Sequence, residues 1–259
     1  MKHIHLSPVG HSCKQGEKLC EMEPNVYEDS LFLLDNKPIG FYIKRIPEDM
    51  KKYMKIAKHE FRSKRVPKAR MNRGTKKMAL AKGEEWVEQL STVLGAIPPK
   101  PHFRRPYISM SSTHAVESAQ NFIKAMYLTA VSSEDLIRAI IPEQYKIQKE
   151  AIEANIDKRY RFTNLFTSSI SNYNISAPYH TDKANLVNTG NIIINERVDA
   201  NGGNLHIPDY GCVIDACNDS LTYYPAYKSM HGVTPIHTTS NVGRRNSFVF
   251  YAVKLKANK

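Results

Sequence analysis

The sequence predicts an α+β fold: a double-stranded β-helix (jelly-roll) barrel in the C-terminal half, buttressed by N-terminal helices. Three observations carry this expectation. Before about residue 160 apolar residues recur at helical spacing, whereas from Phe162 onward the chain breaks into short apolar runs. Asn, Asp and Gly punctuate those runs, at Asp199-Ala-Asn-Gly-Gly203, Asp209-Tyr-Gly211 and Ser240-Asn-Val-Gly243. Many short strands with close turns argue for a jelly-roll or double-stranded β-helix barrel. No repeat, low-complexity tract or clean boundary divides the 259 residues. They read as a single domain, with mixed hairpin and helical support over 1–160 and a barrel core over 161–259.

Residues 1–25 are polar and turn-rich, without a clear period. Ser30-Leu-Phe-Leu-Leu34 and Ile39-Gly-Phe-Tyr-Ile-Lys44 flank Asp35-Asn-Lys-Pro38, which predicts a β-hairpin turning there. A helix is expected from Pro47 to about Phe61, loosening at Pro67 and at an Asn72-Arg-Gly74 turn. Met78, Ala81, Trp86, Leu90, Val93 and Leu94 are helically spaced, so Lys76 to Leu94 reads as a helix ended by Gly95 and Pro98-Pro99. Ala115, Ala119, Phe122, Met126 and Ala130 form one stripe over Thr113 to Val131, an amphipathic helix. Ser132-Ser-Glu-Asp135 has the composition of a cap for the next helix, which Pro142 interrupts before it resumes toward Ile156. Strands are expected at Phe162–Tyr173, Tyr179–His180, Asn191–Glu196, Leu205–Ile207, Cys212–Ala216, Ser220–Tyr224 and Ser247–Lys254.

A hydrophobic fraction of 41% is ordinary for a folded chain and excludes wholesale disorder. No eighteen-residue apolar run exists, and Met1-Lys-His-Ile-His5 lacks the apolar core of a signal peptide. An intracellular monomer without a membrane segment is expected. Cys13, Cys20, Cys212 and Cys217 have neither CxxC spacing nor disulfide-scaffold density, and with His3, His5 and His11 they fit no zinc template well. The net charge of +12 is concentrated: residues 51–77 hold twelve Lys/Arg and one acid, Glu60. Such a block is the footprint of a polyanion, with Lys55, Lys58, Arg62, Lys64, Arg65, Lys68 and Arg70 as candidate phosphate contacts.

The chemistry-bearing residues lie between Tyr173 and Tyr251. His180 and Asp182 are one residue apart, so on a strand both side chains leave the same face. His231 follows in Met230-His-Gly-Val-Thr-Pro235. Two His and one carboxylate are the facial triad of non-heme Fe(II) oxygenases, which leaves positions open for co-substrate and O2. Arg245-Asn-Ser247 then opens the apolar run Phe248-Val-Phe-Tyr251. A guanidinium grips a carboxylate through two parallel hydrogen bonds, the clamp a 2-oxoglutarate co-substrate needs at its far end.

These residues resemble Fe(II)/2-oxoglutarate dioxygenases of the TET/JBP group, which oxidise the 5-methyl group of pyrimidines in DNA. The resemblance rests on His180-Thr-Asp-Lys-Ala-Asn185, Asn204-Leu-His-Ile-Pro208, His231-Gly-Val-Thr-Pro-Ile236 and Arg245-Asn-Ser-Phe-Val-Phe-Tyr251. It covers roughly the last eighty residues. It implies that His180, Asp182 and His231 hold Fe(II), that Arg245 and Ser247 bind 2-oxoglutarate, and that O2 is consumed. It implies further that Asn185 contacts the target base and Tyr251 lines its pocket, with DNA as partner. Metazoan TET enzymes carry a cytosine-contacting His two residues after the final Tyr, where this chain has Val253. The reaction that the resemblance implies is hydroxylation of 5-methylcytosine, with the choice of base left open by Val253. Thymine hydroxylation, as in JBP enzymes, and action on a protein or small molecule are the alternatives.

Overall fold

The computed structural model describes residues 1–72, 76–81, 86–100, 102 and 104–255. In it β1 (Lys2–Leu6) pairs in parallel with β2 (Ser30–Leu34), giving regular structure to a segment with no sequence period. Asp35 and Asn36 take left-handed φ of 50° and 61°. That is the two-residue turn whose twist suits a hairpin, and it joins β2 to β3 (Lys37–Ile43). The basic block forms α1 (Glu48–Arg62), close to the expected bounds, followed by β4 (Ala69–Arg70). The Asn72-Arg-Gly74 turn falls partly outside the described residues.

The helix expected from Lys76 to Leu94 is only α2 (Lys76–Ala81), because its second half is β5 (Leu90–Ile97). Leu90 to Gly95 is instead held residue by residue against a later strand, so tertiary pairing overrides the local apolar period. The short β6 (Ser109–Met110) adds to the end of β5. Next come α3 (Gln120–Ile140) and α4 (Pro142–Asn155), and Pro142 opens a helix rather than interrupting one. Ser132-Ser-Glu-Asp135 is not a cap, since it lies inside α3. Ser132 and Ser133 donate to the carbonyls of Leu128 and Thr129, and the buried Glu134 carboxylate accepts from Leu165 N at 2.7 Å.

The C-terminal half supplies β7 (Ser168–Tyr173), β8 (Ala177–His180), β9 (Asn191–Val198), β10 (Ala200–Gly202), β11 (Leu205–Ile207) and β12 (Cys212–Ile214). It continues with β13 (Leu221–Tyr224), β14 (His231–Val233), β15 (Ile236–Thr238) and β16 (Arg244–Tyr251). One ten-stranded sheet runs β1-β2-β3-β13-β9-β16-β7-β5-β4, with β6 on β5; a four-stranded sheet runs β12-β11-β14-β8. The jelly-roll expectation holds as two facing sheets. Among the described residues they do not close into one hydrogen-bonded barrel. The N-terminal half also gives strands to the large sheet, so it is more than a helical buttress.

Alternation along β9 and β16 divides the two faces of the large sheet. Ile192, Ile194, Phe248 and Phe250 are buried with Phe61 of α1 and Phe122 of α3. Phe61 stacks on Phe122 at 5.9 Å and meets Phe248 edge-on at 5.6 Å. Each such ring contributes about 1.5–3 kcal/mol through burial. Ile193, Ser247, Val249 and Tyr251 face the other way, into a cavity shared with the small sheet.

Gln148 ties α4 to this frame. Fully buried, it accepts from Gly190 N at 2.9 Å and from the Tyr223 hydroxyl at 2.7 Å, and donates to the Leu165 carbonyl at 2.9 Å. Gln148→Leu keeps the volume but strands all three groups, each at about 1–3 kcal/mol. The expected loss is about 3 kcal/mol or more, read as a lower urea midpoint at unchanged slope.

Candidate active site

β8 and β14 pair antiparallel with His180 directly opposite His231, which brings two residues distant in sequence into one place. The imidazole centroids are 4.3 Å apart, and His180 Nε2 lies 3.6 Å from Asp182 Oδ1. One ligand atom from each of His180, Asp182 and His231 lies within 4.8 Å of the others, a spacing that suits a single ion. Among the described residues no other such group occurs, and the N-terminal His/Cys segment forms none; His11 instead bonds Asp209 at 2.9 Å.

Each ligand is aimed by a neighbour. Nδ1 of His180 is 2.8 Å from the Pro178 carbonyl, and Nδ1 of His231 is 2.9 Å from the Ser229 carbonyl. A carbonyl only accepts, so Nδ1 carries the proton in both rings and Nε2 keeps its lone pair for a metal. Burial, and then the neighbouring His180, pushes His231 below the usual imidazole range, which favours the neutral ligand form. Asp182 Oδ2 accepts from Asn191 at 2.8 Å and Asn185 at 3.3 Å. Its Oδ1 is the oxygen turned to the histidines. The donor set fits a divalent ion such as Fe(II).

Arg245 and Ser247 stand on β16 with their side chains in the same cavity. Asn174, at a left-handed φ of 52°, clasps the Arg245 backbone: its N donates to the Arg245 carbonyl at 2.8 Å and its Oδ1 accepts from Arg245 N at 2.7 Å. The Arg245 side chain is buried, and its Nε has no protein partner. Burial, with Arg197 second, pushes its guanidinium down to about 9, still cationic at neutral pH. A buried cation in the cavity lining, with no acid paired to it among the described residues, fits the distal carboxylate of 2-oxoglutarate. Ser247 Oγ accepts from Asn172 at 3.3 Å, which fixes it in that cavity wall.

Gly203 makes room for the Arg245 side chain. It has φ of 71°, and a Cβ there would sit 2.9–3.0 Å from Cγ, Cδ and Nε of Arg245. Gly203→Ala is strained in both respects and displaces the guanidinium. About 2 kcal/mol of misplacement predicts a KM for 2-oxoglutarate raised roughly thirtyfold, checked by succinate release.

Asn185 is buried beside the triad, yet its amide group donates to Asn191 Oδ1 at 2.9 Å as well as to Asp182. That commits its N–H groups to holding the triad carboxylate and leaves Oδ1 as its available substrate contact. Tyr251 lines the cavity, and burial, with Asp182 second, pushes its phenol up, so it is a neutral hydroxyl there. Val253 forms an isolated bridge with Asn185 and gives the wall an apolar side chain. The whole cavity measures about 530 Å3.

The basic stretch carries less free charge than its count suggests. Helix α1 packs on the face of the large sheet opposite the triad, and much of its charge has internal partners. Lys58 pairs with Asp219, and Arg62 with Glu196 at 2.5 Å. Arg65 bonds Glu60 through Nε and Nη2 at 2.7 and 2.9 Å, while Lys68 donates to the carbonyls of Phe61, Ser63 and Val66. The charge of these four is therefore met within the chain, although Arg62 and Arg65 stay exposed. Lys55, Lys64 and Arg70 are exposed, and among the described residues none of them has a carboxylate partner. Sequence reasoning missed Asn174, Asn191 and Gly203. Only the Gly202-Gly203 pair left a local signal, that of a turn.

Fold and triad together define an Fe(II)- and 2-oxoglutarate-dependent dioxygenase. The family model for the oxygenase domain of the 2OGFeDO superfamily, Tet_JBP, matches residues 100–254. The chain belongs to that family. Among solved structures it is similar to NgTET1 in complex with 5mC DNA, at a TM-score of 0.59 and 13% identity, covering 96% of this chain and 85% of that one. A 2OG-Fe(II) oxygenase family protein from Caulobacter crescentus aligns at 0.46 and 13% identity, over 84% and 80%. An oxidoreductase of the 2OG-Fe(II) oxygenase family from Burkholderia pseudomallei aligns at 0.45 and 11%, over 85% and 88%. At these identities the likeness is one of fold. No curated protein matches. No described helix is long and apolar enough to cross a membrane.

Proposed function

We propose that this dioxygenase hydroxylates the 5-methyl group of a pyrimidine in DNA, most plainly 5-methylcytosine to 5-hydroxymethylcytosine. The observation that carries the reading is the join between triad and pocket wall: Asn185 bonds Asp182 and also lines the cavity with Tyr251. A base bound there lies next to the metal position. In this reading His180, Asp182 and His231 hold Fe(II), and Arg245 with Ser247 holds 2-oxoglutarate. When bound, the metal and co-substrate supply O2-dependent oxidation of a C–H bond. The chain's own part is orientation and exclusion of water. Asn191 and Asn185 fix the Asp182 carboxylate, the Pro178 and Ser229 carbonyls fix the imidazoles, and Val93, Ile170, Ile193 and Val249 give dry walls. A base in a duplex cannot reach such a cavity, so the target nucleotide is flipped out of the stack. Asn185 Oδ1 then accepts from an exocyclic amine, which cytosine has and thymine lacks.

The test is mass spectrometry of nucleosides from DNA incubated with protein, Fe(II), ascorbate and 2-oxoglutarate, on one substrate with 5-methylcytosine and one with thymine only. A 5-hydroxymethylcytosine peak lost in His180→Ala is the expected result. A 5-hydroxymethyluracil peak instead would move the preference to thymine, consistent with the apolar Val253. Succinate without either product would place the substrate outside DNA.

A further inference from the structure

A second groove, of about 740 Å3, opens beside the triad cavity and shares Ala177 and Val233 with it. One wall is the stem leading from β4 to β5, where Asn72 bonds the Val87 carbonyl at 2.9 Å and Gln89 N at 2.8 Å. This clasp holds Trp86 at the groove, and the Arg70 guanidinium caps the indole at 4.8 Å from the ring centre. The facing wall carries Lys18 from the N-terminal segment. Among the described residues no acid lines the groove, and neither Lys18 nor Arg70 has a carboxylate partner. Asn72, Gln89 and Asn174 add neutral amides to the lining.

A polymer substrate with one unit in a 530 Å3 cavity must lead its neighbouring units away along an adjoining surface. The adjoining surface here combines a flat ring backed by the Arg70 guanidinium, the cation of Lys18 and amide groups. Stacking on an aromatic face plus phosphate contacts is how polynucleotide strands are held without sequence readout. We infer that this groove holds the nucleotides next to the target base, with a base on the face of Trp86 that Arg70 leaves free and a phosphate at Lys18. The inference rests on the reading of the substrate as nucleic acid and adds the path of the strand.

Trp86 is the chain's single tryptophan, so its fluorescence reports the groove directly. Titration of the full-length protein with 5-methylcytosine oligonucleotides is expected to quench it at low salt and to lose the quenching as salt rises. Trp86→Ala should raise the oligonucleotide KM roughly tenfold with kcat changed less than twofold, and Trp86→Phe, which keeps a stacking ring, should stay within about threefold of the parent. Oxidised DNA with unmoved fluorescence and an unchanged KM would overturn the groove and leave the proposed reaction standing. Salt-sensitive quenching with no oxidised nucleoside would uphold the groove and overturn the reaction. Quenching by poly-glutamate but not by oligonucleotides would overturn both, in favour of an acidic protein partner.

Discussion

Asp182→Ala is expected to lower oxidation by roughly a thousandfold or more. Asp182 is the one anionic ligand in the triad, and a metal centre supplies several kcal/mol of transition-state stabilisation, with each 1.36 kcal/mol a factor of ten. The cause should be loss of metal and not of fold. The side chain is 29% exposed; its loss strands the Asn191 amide, at about 1–3 kcal/mol, while Asn185 keeps its bond to Asn191. A binding ion stabilises the native state, by about 2.7 kcal/mol at a hundredfold excess over its Kd. Added Mn(II), an oxygen-stable substitute for Fe(II), should therefore raise the melting temperature of the parent protein and leave that of Asp182→Ala unmoved. A variant that still gains stability from Mn(II) and still forms product would transfer the ligand role to another carboxylate. Asp182→Asn is a sharper version. Its amide N–H would face either the metal or the donating amides of Asn185 and Asn191, so near-identical shape should still fail.

How much of this was legible follows from how local each feature is. His180 and Asp182 are neighbours in the chain, and strand periodicity alone puts them together. The Asp35-Asn36 turn is equally local. The pairing of His180 with His231 is set by a strand register between segments fifty residues apart, and only the family likeness of the flanking strings pointed to it. Lys76 to Leu94 misled because Met, Ala, Trp and Leu at helical spacing are indifferent evidence once a sheet edge is available; β7 claims Leu90 to Gly95 as a strand. The free charge of the basic stretch was overcounted for a related reason. A charge count cannot see that Glu196 and Asp219, more than a hundred residues on, fold back onto Arg62 and Lys58. The same stretch ends at Arg70, whose partner is an aromatic ring at a groove and not an acid. Asn191 and Asn174 were invisible because a side chain's bond to a distant backbone or carboxylate leaves no spacing rule.

Arg245 gives the second large effect, and it separates two ways of failing. Its guanidinium is buried, carries an orphaned Nε and has Arg197 as its cross-strand neighbour, so the protein alone leaves an uncompensated cation in the wall. Removing that cation should make the chain more stable, not less, since an unpaired buried charge costs free energy. Arg245→Gln is therefore expected to keep or raise the melting temperature while raising the KM for 2-oxoglutarate about a hundredfold, the worth of a bidentate charge-assisted pair near 3 kcal/mol. Arg245→Lys keeps a charge but not the fork, and should fall between the two. Succinate release against 2-oxoglutarate concentration measures both. The coupling has a further sign: 2-oxoglutarate should stabilise the parent protein against heat by mass action and stabilise Arg245→Gln far less. A variant that melts early and keeps its KM would make Arg245 a structural arginine, and the clamp would then have to be sought elsewhere along the cavity wall.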